Sequence, residues 1–91
     1  MNLQELALAR LRDWPLGTTI GLSGGRRYAV SKSAYASGRS IKLVATELGG
    51  TDYISLNLYE LAQAPRLAPC EMPLAKVLAF LSELRPEGKQ A

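Results

Sequence analysis

Residues 41–58, IKLVATELGGTDYISLNL, decide the fold. Two β-prone runs of alternating apolar residues flank Gly49 and Gly50, a dipeptide typical of a hairpin turn. A two-residue loop at these glycines pairs only apolar residues: Ala45 with Ile54, Leu43 with Leu56, and Ile41 with Leu58. A slip of one residue would move each set to the other face, so the stretch predicts an antiparallel hairpin with one buried face.

The same period of two extends over residues 18–59, with further turn signals at Gly24-Gly25 and Ser37-Gly38. These signals predict a four-stranded antiparallel meander. At the first turn we favour a three-residue loop, residues 24–26, because it keeps apolar residues on one face. This loop pairs Leu22 with Tyr28 and Ile20 with Val30.

The second turn predicts a pairing with one unusual consequence. It places Val30 opposite Ala45 and Ala34 opposite Ile41, and it sends Lys32 to the buried side. The apolar face of the sheet is then expected to be formed by Ile20, Leu22, Tyr28, Val30, Leu43, Ile54, Leu56 and Leu58.

Helices are predicted at both ends of the meander. Asn2 and Glu5 form a capping-box pattern at the start of the first helix, and Pro15 discourages helix at Trp14. Its apolar arc contains Leu3, Leu6, Ala7, Leu11 and Trp14. Arg10 falls inside this arc, where its stem can pack while its head reaches solvent or a carboxylate.

A connector, residues 60–72, carries Pro65 and Pro69, and we expect it to be a linker or lid. The second helix is expected to begin at Pro73 and to end before Pro86 and Gly88. Its apolar stripe contains Leu74, Val77, Leu78, Phe80, Leu81 and Leu84. The predicted fold is a two-layer α+β domain, α-β-β-β-β-α, with both helices on one face, covering residues 1–91 with a frayed tail at 87–91.

Composition limits the function classes. An apolar fraction of 47% and a charged fraction of 21% are typical of a folded globular chain. One cysteine excludes an internal disulfide, and the absence of histidine removes the usual zinc sites and histidine-based triads. We expect a non-enzymatic, cytoplasmic protein without metal or cofactor. The N-terminal residues 1–14 lack the apolar run of a signal peptide or membrane span.

Charge is distributed unevenly. Residues 14–46 contain no acidic side chain but five cations, and the whole chain has a net charge of +3. The face of the predicted sheet away from the helices carries Thr19, Ala29, Ser31, Ser33, Tyr35, Lys42, Val44, Thr46, Tyr53, Ser55, Asn57 and Tyr59. Interleaved tyrosines and cations suit single-stranded nucleic acid, because rings stack on bases and cations meet phosphates. Small hydroxylated residues and tyrosines also suit a dimer interface or a half-solvated sheet face, and the residues favour this second interpretation.

Four strands followed by a helix, together with the run Ile54-Ser55-Leu56-Asn57, resemble single-strand-binding coactivator domains. The resemblance covers only the strands, because this chain adds an N-terminal helix and a proline-bearing connector. What it implies is a sheet platform for single-stranded nucleic acid.

Three other motifs carry weaker hypotheses. The turn 37–40, Ser-Gly-Arg-Ser, has the residue types of a phosphate-binding nest but also those of an ordinary polar turn. Cys70 precedes the second helix, where a thiolate would be favoured, yet no base is close in sequence. Glu47 and Asp52 face each other at a hairpin end, and we expect two solvated charges balanced by an arginine.

The function expected from the sequence is a small binding or regulatory module that acts through a protein partner or as a homodimer, without a membrane contact. Single-stranded nucleic-acid binding without sequence specificity is the alternative. The predicted binding residues, for either partner, are Arg27, Tyr35, Arg39, Lys42, Tyr53, Asn57 and Tyr59.

Overall fold

The computed structural model describes residues 2–88, and it is an α+β structure with two helices packed on an antiparallel sheet of six strands. The elements are α1 (Leu3–Asp13), β1 (Gly17–Ser23), β2 (Arg26–Tyr35), β3 (Ser40–Glu47), β4 (Tyr53–Glu60), β5 (Pro65–Pro69), α2 (Leu74–Glu83) and β6 (Arg85–Pro86). The strand order across the sheet is β5-β4-β3-β2-β1-β6. The predicted meander therefore forms the centre of the sheet, and two short strands that were not predicted extend it on both sides.

The central hairpin has the predicted register. Leu43 pairs with Leu56, and its neighbours pair as expected on either side. The turn between β2 and β3 also follows the prediction, because Val30 lies opposite Ala45 and Lys32 lies opposite Leu43. Both pairings place their apolar residues under the helices, where Val30, Leu43 and Leu56 are fully buried.

The predicted loop between β1 and β2 is wrong. The structure has a two-residue turn at Gly24-Gly25, with Ser23 opposite Arg26 and Leu22 opposite Arg27. Ile20 and Leu22 therefore leave the predicted core and lie half-buried on the opposite face, while Thr19 moves to the helix side.

Gly21 gives the physical reason for this register. A Cβ atom at Gly21 would lie 3.0 Å from Leu84 Cδ1 and 3.0 Å from two ring carbons of Trp14. The helix side of β1 is thus filled by large side chains that belong to the ends of α1 and α2. Because these residues come from elsewhere in the chain, alternation within β1 alone favoured the wrong face.

Lys32 is only 6% exposed, and its ammonium group is accommodated by the end of α1. Its Nζ donates to the carbonyl oxygens of Arg12 at 2.8 Å and Trp14 at 2.5 Å. These carbonyls belong to the last turn of the helix and the residue after it, where a cation is favoured. Burial lowers the pKa of Lys32, and the nearby charge of Asp13 acts in the opposite direction.

Residues of the predicted connector form β5, which pairs with β4, so the connector is not a free linker or lid. Backbone N–H groups alternate in direction along a strand, and that of Cys70 points toward β4 at Ser55. The N–H groups of residues 65, 67 and 69 would therefore face the free edge, but Pro65 and Pro69 have none. This edge is poorly suited to pairing with another strand.

The last strand, β6, covers the other edge of the sheet for two residues and contains Pro86. Beyond it, Glu87 donates its N–H to the carbonyl of Ile20 at 3.3 Å, although the sequence placed Glu87 in a frayed tail. Residues 89–91 of that tail lie outside the described residues.

Both helices pack on one face of the sheet, as predicted. The capping box of Asn2 and Glu5 is present, and Arg10 donates to the carbonyl of Leu84 instead of reaching a carboxylate. Leu3 is half-exposed and Leu8 is buried in its place, while Pro73 precedes α2 as its cap rather than beginning it. The buried side chains of the two helices are Ala7, Leu8, Leu11, Val77, Phe80 and Leu81.

Candidate binding face

The sheet face opposite α1 and α2, called here the open face, has no helix over it among residues 2–88. Cross-strand pairing places on it Thr18, Ile20, Leu22, Arg27, Ala29, Ser31, Ser33, Tyr35, Ser40, Lys42, Val44, Thr46, Tyr53, Ser55, Asn57, Tyr59, Arg66 and Ala68. Eleven of the twelve residues predicted for this face lie there, and Thr19 does not. The face separates into two ends with different chemistry.

One end is apolar and lies near the Gly24-Gly25 turn. Its residues, defined here as the apolar end, are Ile20, Leu22, Ala29, Val44 and Tyr53. The first four are half-buried, and the Tyr53 side chain is 45% exposed. The sequence did not predict Ile20 and Leu22 here, because their position depends on the register set by Gly21.

Arg27, a predicted binding residue, lies beside the apolar end, where an ion pair neutralises its charge. Its guanidinium binds the carboxylate of Glu87 through two nitrogens, a bidentate pair. The hydrogen bond from Arg27 holds the pKa of Glu87 below its ordinary value. The apolar end therefore has little net charge of its own.

The other end is basic and lies near the turn between β2 and β3. Tyr35, Ser40, Tyr59 and Arg66 form one row across four strands, and Lys42, opposite Asn57, belongs to the next row. We define the basic end as Tyr35, Arg39, Lys42, Asn57, Tyr59 and Arg66. The structure brings together five of the seven predicted binding residues here. It adds Arg66, which was not predicted because it lies in the connector between two prolines.

Tyr53 lies away from this cluster. Tyr59 is six positions further along β4, which corresponds to about 20 Å along a strand. The Tyr53 ring is instead close to α2, because Lys76 Nζ lies 5.9 Å from its centre. Arg27 and Tyr53 therefore belong to the opposite end of the face from Lys42, and the three do not form one site.

The turn 37–40 has the backbone of a tight polar turn. Ala36, Ser37 and Gly38 all have positive φ, and the N–H of Arg39 donates to the carbonyl of Ala36. The Nε atom of Arg39 donates to the same carbonyl at 3.2 Å, which holds the side chain against the turn. The Nε–H group of Arg39 is therefore directed at the turn and not at a ligand.

Cys70 is half-buried and follows the last residue of β5. The side-chain amide of Asn57 donates to its Sγ at 3.5 Å. This contact gives the thiol a structural neighbour but no base.

A second cluster lies on the helix side, where the hairpin turns meet α2. Asp52 accepts hydrogen bonds from Lys76 and from the Tyr28 hydroxyl, both at 2.8 Å. Arg26 lies 3.8 Å from Asp52 and 3.8 Å from Glu47, so an arginine balances the carboxylate pair as expected. Tyr28 and Lys76 were not foreseen, because only the packing of α2 brings them to this pair.

The cluster borders a cavity of about 240 Å³, whose wall includes Tyr28, Ile54 and Phe80. Burial, reinforced by the hydrogen bond with Asp52, raises the pKa of Tyr28 to about 12. The hydrogen bond from Lys76 lowers the pKa of Asp52. Each polar group of this network is already paired within the protein, so we assign it to stability.

Among residues 2–88, Cys70 and the acidic side chains form no group of three able to hold a metal ion. None of the helices described is long and apolar enough to cross a membrane.

Comparison with known proteins adds no relative to this description. No protein-family model matches the chain, no curated protein matches it significantly, and no solved structure does so either.

Proposed function

We propose that this chain is a small non-catalytic binding module that acts through protein contact, and that its partner is a second copy of itself. The observation that carries the proposal is the position of Ile20 and Leu22 on the uncovered face, where Ile20 lies opposite Ala29 and Val44 lies two strands away in the adjoining row. Uncovered apolar side chains on a small domain gain stability when a partner removes them from water.

The edges of the sheet favour contact through the face over edge pairing. The β5 edge presents two prolines, and β6 is two residues long with a proline of its own. Prolines and short strands are the usual means of blocking edge pairing. Two open faces can instead stack about 10 Å apart, as in a sheet sandwich.

Charge is compatible with such a dimer. The Arg27–Glu87 pair leaves the apolar end nearly neutral. A two-fold arrangement that overlaps only the apolar ends keeps the basic ends of the two copies apart.

Sedimentation velocity at micromolar concentration tests the proposal. The parent protein should sediment as a dimer of its 9.8 kDa chain. Leu22→Glu should give a folded monomer, because the added carboxylate would be buried in the contact opposite Arg27, whose charge Glu87 already neutralises. Ser33→Glu adds the same charge to the basic end of the same face and should leave the dimer intact.

A parent protein that is monomeric at every concentration would reject self-association, and equal effects of the two substitutions would reject the apolar end as its site. Circular dichroism of both variants checks that the fold survives. Dimerisation that is insensitive to Leu22→Glu would place the contact elsewhere.

A further inference from the structure

The basic end carries a second inference, which does not depend on dimerisation. We infer that Tyr35, Lys42, Tyr59 and Arg66, with Arg39 at the turn, bind single-stranded nucleic acid without sequence specificity. The ligand class follows from the arrangement of rings and cations on this part of the sheet.

The two tyrosines occupy the same row, with Ser40 between them on β3. Their strands are two spacings apart, which corresponds to about 9–10 Å. Serine has a much smaller side chain than the two tyrosines that flank it. The Tyr35 side chain is 56% exposed, and its ring is available for stacking.

Cations surround this row on three sides. Arg66 continues it on β5, Lys42 lies in the adjoining row, and Arg39 lies at the turn. Among residues 2–88, neither Lys42 nor Arg66 takes part in an ion pair or side-chain hydrogen bond. Glu60, which directly follows Tyr59, is occupied by Arg12 through two hydrogen bonds at 2.8 and 2.9 Å.

This chemistry selects a single strand among polyanions. Aromatic rings on a sheet stack on unpaired bases, whereas the bases of a duplex are already stacked on one another. An acidic peptide would satisfy the cations but would give the tyrosines no planar partner. Weak base preference is expected, because every base offers a ring face.

A labelled oligothymidine titrated by fluorescence anisotropy, at a series of salt concentrations, tests the inference. The parent protein should bind saturably at low salt. Three phosphate contacts predict a slope of about −2 in log affinity against log salt, since each contributes about −0.7 on a single strand. Lys42→Ala should make the slope shallower by about 0.7.

Tyr35→Ala should weaken binding by about 5- to 150-fold at every salt concentration, as loss of one stacked base does. Leu74→Ala is the control, because Leu74 is similarly exposed but lies on α2, on the other side of the sheet. It should leave the affinity for the oligonucleotide unchanged.

Absence of saturable binding at low salt would overturn the inference. Equal losses from Tyr35→Ala and Leu74→Ala would overturn the assignment to the basic end. If polyglutamate competes as well as the oligonucleotide and Tyr35→Ala has no effect, the partner of the basic end is an acidic protein and not a nucleic acid. Sedimentation velocity of the same variants shows whether they still self-associate, so a loss of oligonucleotide binding can be distinguished from a loss of dimerisation.

Discussion

At the scale of single residues, the side chain missing from Gly21 determines which face of β1 turns toward the helices. Trp14 and Leu84 occupy the space that a side chain at this position would fill. Thr19 and Ser23 share its side of the strand, and Ser23 donates its hydroxyl to the carbonyl of Phe80 at 2.8 Å. The core side of β1 is therefore made of small residues under large ones from the helix ends.

Gly21→Val should destabilise the protein by about 1–3 kcal/mol, because the added isopropyl group overpacks the contact with Trp14 and Leu84. Chemical denaturation measures the change. Thr18→Ser, on the open face of the same strand, is the control: it keeps the hydroxyl that bonds Ser31 and should change stability by less than about 0.5 kcal/mol. A neutral or stabilising Gly21→Val would mean that this residue faces solvent, as the three-residue loop requires.

At the scale of elements, the Tyr28–Asp52–Lys76 network ties β2 and the β3–β4 turn to the first turns of α2. Tyr28 also contacts Phe80 edge to face, with ring centres 4.9 Å apart. These contacts hold α2 over the apolar side of the sheet and leave the other side uncovered. The position of the open face thus depends partly on a polar network on the opposite side of the sheet.

Asp52→Asn should lower the free energy of unfolding at neutral pH by about 0.5–1.5 kcal/mol, by weakening its hydrogen bonds to Lys76 and Tyr28. The hydrogen bond from Lys76 lowers the folded-state pKa of Asp52 below its ordinary value, so the stabilising contribution of Asp52 is fully present above that ordinary value. It is lost as the pH falls through the folded-state value. The difference between parent and variant should therefore shrink in acid.

Denaturation curves at neutral and acidic pH measure this difference. Glu83→Gln is the control, because Glu83 borders the same cavity but forms no ion pair within residues 2–88. Its effect should be small at both pH values. A difference between parent and Asp52→Asn that is constant with pH would show that the carboxylate charge is not the stabilising feature.

The elements also show what could be predicted from the sequence. Pairing within the central hairpin was predictable because apolar residues alternate on both strands and a glycine pair lies between them. The register of β1 was not predictable, because it depends on Trp14 and Leu84. Neither residue lies in a strand, and Leu84 is far from β1 in sequence. β5 was not predicted because its prolines are typical of loops, although prolines are tolerated on an edge strand.

For the whole molecule, the two helices cover one side of the sheet and the predicted binding residues lie on the other. Five of the predicted seven lie together at the basic end, where alternation along β2, β3 and β4 was sufficient to place all of them except Arg39, which lies in the turn. The apolar end could not be predicted, since it depends on the corrected β1 register. One end of the open face is thus apolar and nearly neutral, and the other is basic, with Tyr35 exposed and Tyr59 half-buried.

We propose that the apolar end of the open face is where the protein meets its partner copy. Amide chemical shifts followed through a dilution series, from millimolar to low micromolar, test this contact most directly. We expect concentration-dependent shifts at Ile20, Leu22, Ala29 and Val44, with α1 and α2 unchanged. Shifts confined to the helices or to the β5 edge, or no concentration dependence at all, would contradict it.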